Sequence, residues 1–143
     1  ARQKLPSGKR GNGFWGDRYD DINRFERHLV RNGTLVLKFF LHLSKKEQKQ
    51  RFIDRLDDPG KHWKFSFGDL EEREFWGEYQ DAFEQAIRHT STKWAPWWVI
   101  PADHKYVTRA LVAKILTAKI RALKLEYPRL TPLPSWLKKR DLV

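Results

Sequence analysis

Ten consecutive residues constrain this chain more than any other stretch. Thr34 to Leu43 read Thr-Leu-Val-Leu-Lys-Phe-Phe-Leu-His-Leu, apolar on both alternating faces and interrupted only by Lys38 and His42. A strand with one wet face alternates cleanly, whereas a strand covered on both faces reads as a continuous apolar run. The stretch therefore predicts an inner strand of a parallel sheet. Asn32-Gly33 in front of it is a turn or helix-stop signal. Ser44 with Glu47 three residues later forms a capping box, so a helix should begin directly after the strand. That helix carries Phe52, Ile53 and Leu56 on one side and stops at Asp57-Asp58-Pro59-Gly60, because a proline disfavours helix in the residue before it. Strand followed by capped helix is half of a βαβ unit, and ligands gather at the carboxyl ends of such strands. A site is expected near His42, Ser44 and whatever follows Leu56.

Composition bounds the partners. The chain has 143 residues, 40% of them hydrophobic and 14% aromatic, enough for one domain with a core. The net charge of +11 favours anions: nucleic acid, phosphorylated metabolites, polyanions or acidic lipid. Cysteine is absent, which excludes disulfides and thiolate metal sites and fits a cytoplasmic protein. No run is long enough to span a bilayer and no signal peptide is visible, so no membrane partner is expected.

Around the central strand the elements fall in a simple order. Residues 1–16 are basic and glycine-rich, and predict a loop; the Gly-x-x-x-x-Gly-Lys-[Ser/Thr] spacing of a phosphate cradle does not occur there. Asp17 to Asn32 predicts a helix with Ile22, Phe25 and Leu29 on one face. Residues 57–68 predict a loop. Asp69 with Glu72 suggests a second capping box, opening a helix to about Thr90 with a stripe of Trp76, Tyr79, Phe83, Ala86 and Ile87. Ala95 to Pro101 is a short strand between prolines whose Trp97 and Trp98 read as core. Asp103 is placed to cap a last helix reaching about Leu123, with Val107, Leu111, Ile115 and Ala118 facing inward. Residues 128–143 predict a tail. Two strands make a poor sheet, since an inner parallel strand needs neighbours on both edges. The expected architecture is thus the C-terminal part of a larger α/β domain.

Four segments together resemble the family-2 polyphosphate kinases. They are Arg18-Tyr-Asp-Asp-Ile-Asn-Arg-Phe-Glu-Arg-His-Leu29, Gly33-Thr-Leu-Val-Leu-Lys-Phe-Phe-Leu-His-Leu-Ser-Lys-Lys-Glu-Gln48, Asp58-Pro-Gly-Lys-His-Trp-Lys-Phe65 and Thr90-Ser-Thr-Lys-Trp-Ala-Pro-Trp-Trp-Val-Ile-Pro-Ala-Asp-His-Lys105. The resemblance covers roughly residues 14–127. It implies a P-loop kinase-like, three-layer α/β/α fold with a parallel sheet. It implies phosphoryl transfer between inorganic polyphosphate and a nucleoside mono- or diphosphate, with Mg2+, in a homo-oligomer. The family's Walker A and Walker B stretches have no counterpart in this sequence. The resemblance therefore makes these residues the lid and the remaining part of the sheet, with 57–68 as the lid loop. Magnesium would be held by the family's upstream acidic residue and by substrate phosphates, and the chain alone is expected to be inactive.

Candidate site residues follow from spacing and from that resemblance. Arg51 and Arg55 lie four apart and project from one face of the helix entering the lid. Phosphoryl transfer is mostly positioning and charge stabilisation, so lid arginines closing over phosphates suit a catalytic role. A solvated face paired with Glu47 or Asp54 is the plainer alternative. Lys61 and Lys64 flank Trp63 and suit a sliding polyanion, because an ammonium imposes no fixed bidentate geometry; Trp63 and Phe65 read as loop anchors or base-stacking platforms. Lys105 and Arg109 form a basic pair in the first turns of the last helix, where the dipole favours anions, and so suggest phosphate nearby. Lys38 snorkels outward, pairs with a carboxylate or reaches the polyphosphate. His42 reads as a hydrogen-bonded structural group and Asp103 as a cap. No His/Asp/Glu spacing makes a metal site. Two rivals remain open: an ATP-dependent nucleoside monophosphate kinase, and a nucleic-acid-binding module. The second lacks any recognised readout motif, so no specific nucleic acid is expected.

Overall fold

The computed structural model describes residues 13–128. Apart from Pro128, the expected tail at 128–143 lies outside them, as does most of the 1–16 loop. Helix α1 spans Phe14–Arg31, three residues earlier than expected, entered from Gly13 at φ 117° and with Asp17 complementing the dipole in its first turn. Its end is as the sequence reads: Gly33 sits at φ 86°, and the Thr34 N–H reaches back to the Leu29 carbonyl at 3.0 Å. That bond closes a Schellman-type stop.

Strand β1 is Lys38–His42, half the predicted length, and pairs in parallel with β2, Trp97–Pro101. Lys38 faces Trp97 and His42 faces Pro101 in this register. Among the described residues the sheet has these two strands, so β1 is paired on one edge only. Leu41 and Val99 are about half exposed, so the sheet is not covered on both faces among the described residues. The apolar run over-reads the strand because Thr34 to Leu37 form an extended connection without ladder bonds.

Helix α2, Lys45–Leu56, starts where the capping box places it: Ser44 Oγ accepts from the Glu47 N–H at 3.1 Å. The predicted loop at 57–68 is instead mostly ordered into helical turns. A 3-10 helix runs Pro59–Lys64, capped by Asp58 on the Gly60 N–H, and α3 runs Phe67–Glu74. Asp69 therefore lies inside α3 and opens nothing. Edge-to-face contacts from Phe52 to Phe65 at 6.4 Å and from Phe65 to Phe67 at 5.5 Å fix this segment on α2. Phe65 is an anchor, whereas Trp63 stays 78% exposed and anchors nothing. The single helix expected to follow is divided at Phe75, and α4 covers Trp76–Thr90.

Helix α5 spans Lys105–Ala122. The described residues fall into two units, one up to Val112 and one from Ala113, the second holding the later turns of α5. Ala118, expected to face inward, is exposed.

The core of the first unit is thin: Phe52, Ala95, Ile100 and Ala102. Burying a side chain such as Phe52 contributes roughly 1.5–3 kcal/mol. Ile22 and Phe25, the predicted inner face of α1, are exposed, and the buried residue of that helix is Glu26. Its partner is Lys38, whose ammonium meets Glu26 Oε2 at 2.7 Å and the Thr90 carbonyl at 2.6 Å. One lysine thereby ties the start of β1 to α1 and to the end of α4.

Candidate active site

The carboxyl ends of the two strands are joined to α2 by side chains. The Ser44 N–H donates to Asp103 Oδ1 at 2.7 Å, so Asp103 binds the N-terminus of α2 and the expected cap of α5 is turned away from its helix. Hydrogen bonds from the Ser44 backbone and then its hydroxyl hold the Asp103 carboxyl below the usual carboxylate range. Arg51, two turns along α2, donates from Nε to Glu47 Oε1 at 2.9 Å and from Nη2 to the Ala102 carbonyl at 2.6 Å. Its side chain remains 24% exposed. The guanidinium is thus oriented by two fixed acceptors while keeping donors for a ligand.

Below this junction lies a cleft of about 620 Å³, bounded by β1, α2, α3 and α4. Its floor is apolar: Phe40, Leu43, Phe52, Trp76 and Phe83, with the Phe40 and Phe83 rings 4.9 Å apart. Its walls are charged. Arg51 and Arg55 both line it, four residues apart on one helix face. Arg55 stands over the Phe52 ring at 5.4 Å and 4.0 Å from Asp69 Oδ2. Arg73 of α3 completes a set of three guanidinium groups, donating to Gln48 Oε1 and lying 5.9 Å above Trp76. Glu72 accepts from the Tyr79 hydroxyl, which raises the phenol above its ordinary value.

The structure brings some of the predicted site residues together and leaves others apart. Arg51 and Arg55 share the cleft. Lys61 and Lys64 do not line it: Lys61 pairs with Asp58 at 2.7 Å, and the Lys64 ammonium lies 4.8 Å over Trp63. The Asp58 hydrogen bond raises Lys61 above its usual range. Lys105 and Arg109 are exposed on the first turns of α5, with no ion pair among the described residues. Lys38, one of the candidate phosphate ligands, is engaged by Glu26 and Thr90 at the far end of β1. His42 is exposed, its ring against Phe40 at 5.9 Å. Its side chain makes no hydrogen bond among the described residues, contrary to expectation. Arg73 and Gln48 gave no site signal in the sequence spacing, and Glu72 and Tyr79 read there as a cap and a core stripe and not as site residues. Among the described residues no group of three or more His, Asp or Glu could hold a metal ion, and no helix is long and apolar enough to cross a membrane.

Comparison with known proteins gives this arrangement a context. The family model of polyphosphate kinase 2 matches residues 11–128. The ADP-polyphosphate phosphotransferase of Rhodopseudomonas palustris is 46% identical over 131 residues, covering 91% of this chain and 45% of that protein. The AMP/ADP-polyphosphate phosphotransferase of Meiothermus ruber is 52% identical over 115 residues, covering 80% of this chain and 43% of that one. The crystal structure of polyphosphate kinase 2 from Arthrobacter aurescens TC1 superposes with a TM-score of 0.84 at 42% identity, over 92% of this chain and 46% of that structure. The chain thus spans under half the length of these three relatives.

Proposed function

The chain belongs to the polyphosphate kinase 2 family, and from that premise we propose that it serves phosphoryl transfer between inorganic polyphosphate and a nucleoside mono- or diphosphate. The observation that carries this reading is the cleft between β1, α2, α3 and α4, where Arg51, Arg55 and Arg73 line the walls over an apolar floor. A transferring phosphoryl group spreads charge over its equatorial oxygens, and fixed guanidinium groups stabilise that charge without reorganising. Arg51 is held by Glu47 and Ala102, so it is positioned before substrate arrives. Among the described residues Arg55 has Asp69 at 4.0 Å as its one ion-pair partner and rests on the Phe52 ring, a loose hold that leaves it able to turn to phosphate.

The lid of this reading is the segment from Pro59 to Glu74. Lys61, Lys64, Lys105 and Arg109 stand outside the cleft as exposed cations along the approach of a long polyanion. Lys38 drops out of the phosphate set, because its three hydrogens already face Glu26, Thr90 and the Trp97 ring. Mg2+ would be held by the family's Walker-type acidic residue and by the substrate phosphates, and the described residues add no cluster of ligands of their own. Homo-oligomeric assembly and a cytoplasmic setting belong to the same proposal, the latter in keeping with a sequence free of cysteine.

Donor comparison tests the function. An enzyme containing this segment, given AMP or ADP, is expected to turn over with polyphosphate as donor. Turnover of AMP with ATP and none with polyphosphate would replace this reading with that of an ordinary nucleotide kinase. The 143 residues on their own, which contain no glycine-rich phosphate loop, are expected to bind polyphosphate without transferring phosphate.

A further inference from the structure

A second cationic surface lies on α1, at the other end of the sheet from the cleft. Arg24, Arg27, His28, Arg31 and Asn32 line a hollow of about 450 Å³. Their spacing of i, i+3, i+4, i+7 and i+8 places them on one helix face, a row of roughly 10 Å at 1.5 Å per residue. Lys38 and Glu26 hold this half of α1 beside the start of β1. The cleft is lined by Phe40, Leu41 and Leu43, two to five residues on from Lys38, or roughly 7–17 Å at about 3.3 Å per extended residue.

Helix stability does not account for the row. Cations in the last turn complement the dipole, which covers His28 and Arg31. Arg24 and Arg27 lie further in, and like charges three or four apart cost a helix about 0.2–0.5 kcal/mol per pair. Local pairing does little to cancel this. Arg24 meets Asp20 and Asp21 only at 3.9 Å each, all highly exposed. Arg27 is steered by the Trp94 ring, 5.4 Å from its guanidinium carbon, not by a carboxylate. Arg31 has no ion pair among the described residues. A cationic row that costs its own helix and shares one hollow has the form of an anion site.

We propose that this row binds a second stretch of polyphosphate, holding the distal part of a chain whose reacting end lies in the cleft. The ligand's identity rests on the function proposed above, whereas the row and its hollow do not. Guanidinium groups match phosphate oxygens in fork geometry. A base-bearing polymer would also need a stacking platform; among the described residues His28 alone lines the hollow with a ring, and nearby Trp94 already carries the Arg27 guanidinium.

Titrations of the 143-residue chain with long-chain polyphosphate and with tripolyphosphate, across a range of salt, test this. Arg27→Gln with Arg31→Gln is expected to weaken long-chain binding roughly tenfold and to lower the slope of log K against log salt by about 1.4 for the two charges. Tripolyphosphate binding should stay within about twofold, since a short chain needs only one site. Arg27→Lys with Arg31→Lys keeps the charge and should keep the salt slope, which separates binding from a folding defect. Unchanged long-chain binding in the glutamine variant overturns the proposal. So does single-stranded RNA of equal charge displacing polyphosphate from the row. If Arg55→Gln with Arg73→Gln loses tripolyphosphate while the row variants bind long chains as before, this proposal falls and the cleft reading stands. If the unaltered chain binds neither length, both fall.

Discussion

Two ion pairs stand at opposite ends of the same short sheet and have different character. At the start of β1, Lys38 and Glu26 are each only 11% exposed, and the ammonium is saturated by a carboxylate, a carbonyl and the face of Trp97. At the end of the strands, Arg51 and Glu47 are 24% and 29% exposed, and the guanidinium is oriented by Glu47 and Ala102 yet keeps donors to spare. The first pair closes on itself and has no capacity for a ligand. The second is held in place and left open. On a basic chain, charge alone does not mark a site; what supports the proposed one is an oriented cation with unused donors at a cleft.

The largest effect should come from breaking the closed pair. Removing one partner of a buried ion pair leaves an uncompensated charge and costs about 3–5 kcal/mol. Lys38→Met is therefore expected to lower Tm by roughly 10 °C in a chain of this size. Adding Glu26→Leu should restore much of the loss, since a buried pair replaced by apolar groups is often neutral. Thermal melts of the single and double variants check this. A Lys38→Met variant that melts like the parent would mean that the pair stabilises nothing.

A smaller effect is expected at the open end and appears in acid. Asp103 is held below its ordinary value of 3.8 by Ser44. A depressed carboxyl contributes stability that is full above its unfolded pKa and is lost as pH falls through the lower folded value. Between those two values the unfolded state binds the extra proton, so stability rises with pH there. Asp103→Asn keeps an acceptor for the Ser44 N–H but cannot titrate. Its acid limb, followed by denaturant melts from about pH 5 downward, should be shallower than the parent's. Asp58, lowered by its hydrogen bonds to Lys61 and Gly60, leaves part of the slope in place. Identical acid limbs would show that the Ser44 tether carries no charge-dependent stability.

The junction of β1 and α2 was legible because its signals are local. Ser44 and Glu47 are three residues apart, and their hydrogen bond forms where the pattern places it. Gly33 closes α1 for the same kind of reason. The lid was not legible. Asp69 and Glu72 imitate a cap, but the start of α3 is set by Phe65 and Phe67 packing toward Phe52, fifteen residues back in the chain at its far end. Arg51 and Arg55 could be paired by spacing on one helix. Placing Arg73 beside Gln48 required the division at Phe75 and a contact across 25 residues. The fate of Lys38 depended on Glu26 and Thr90, 12 and 52 residues away, which no window over the sequence contains.

The central claim is that the open guanidinium set of the cleft serves the proposed phosphoryl transfer, and Arg55 tests it most directly. The measurement is kcat of an enzyme containing this segment, taken with polyphosphate and nucleotide beside Tm on the same preparations. Arg55 is paired only loosely, so Arg55→Ala should change stability by at most about 1 kcal/mol. It should lower kcat by about 10²-fold, as removal of one group that stabilises transition-state charge does. Arg55→Lys restores charge without the planar fork and should recover part of that loss. An Arg55→Ala enzyme with full kcat, or one that loses activity only as it unfolds, would contradict the account.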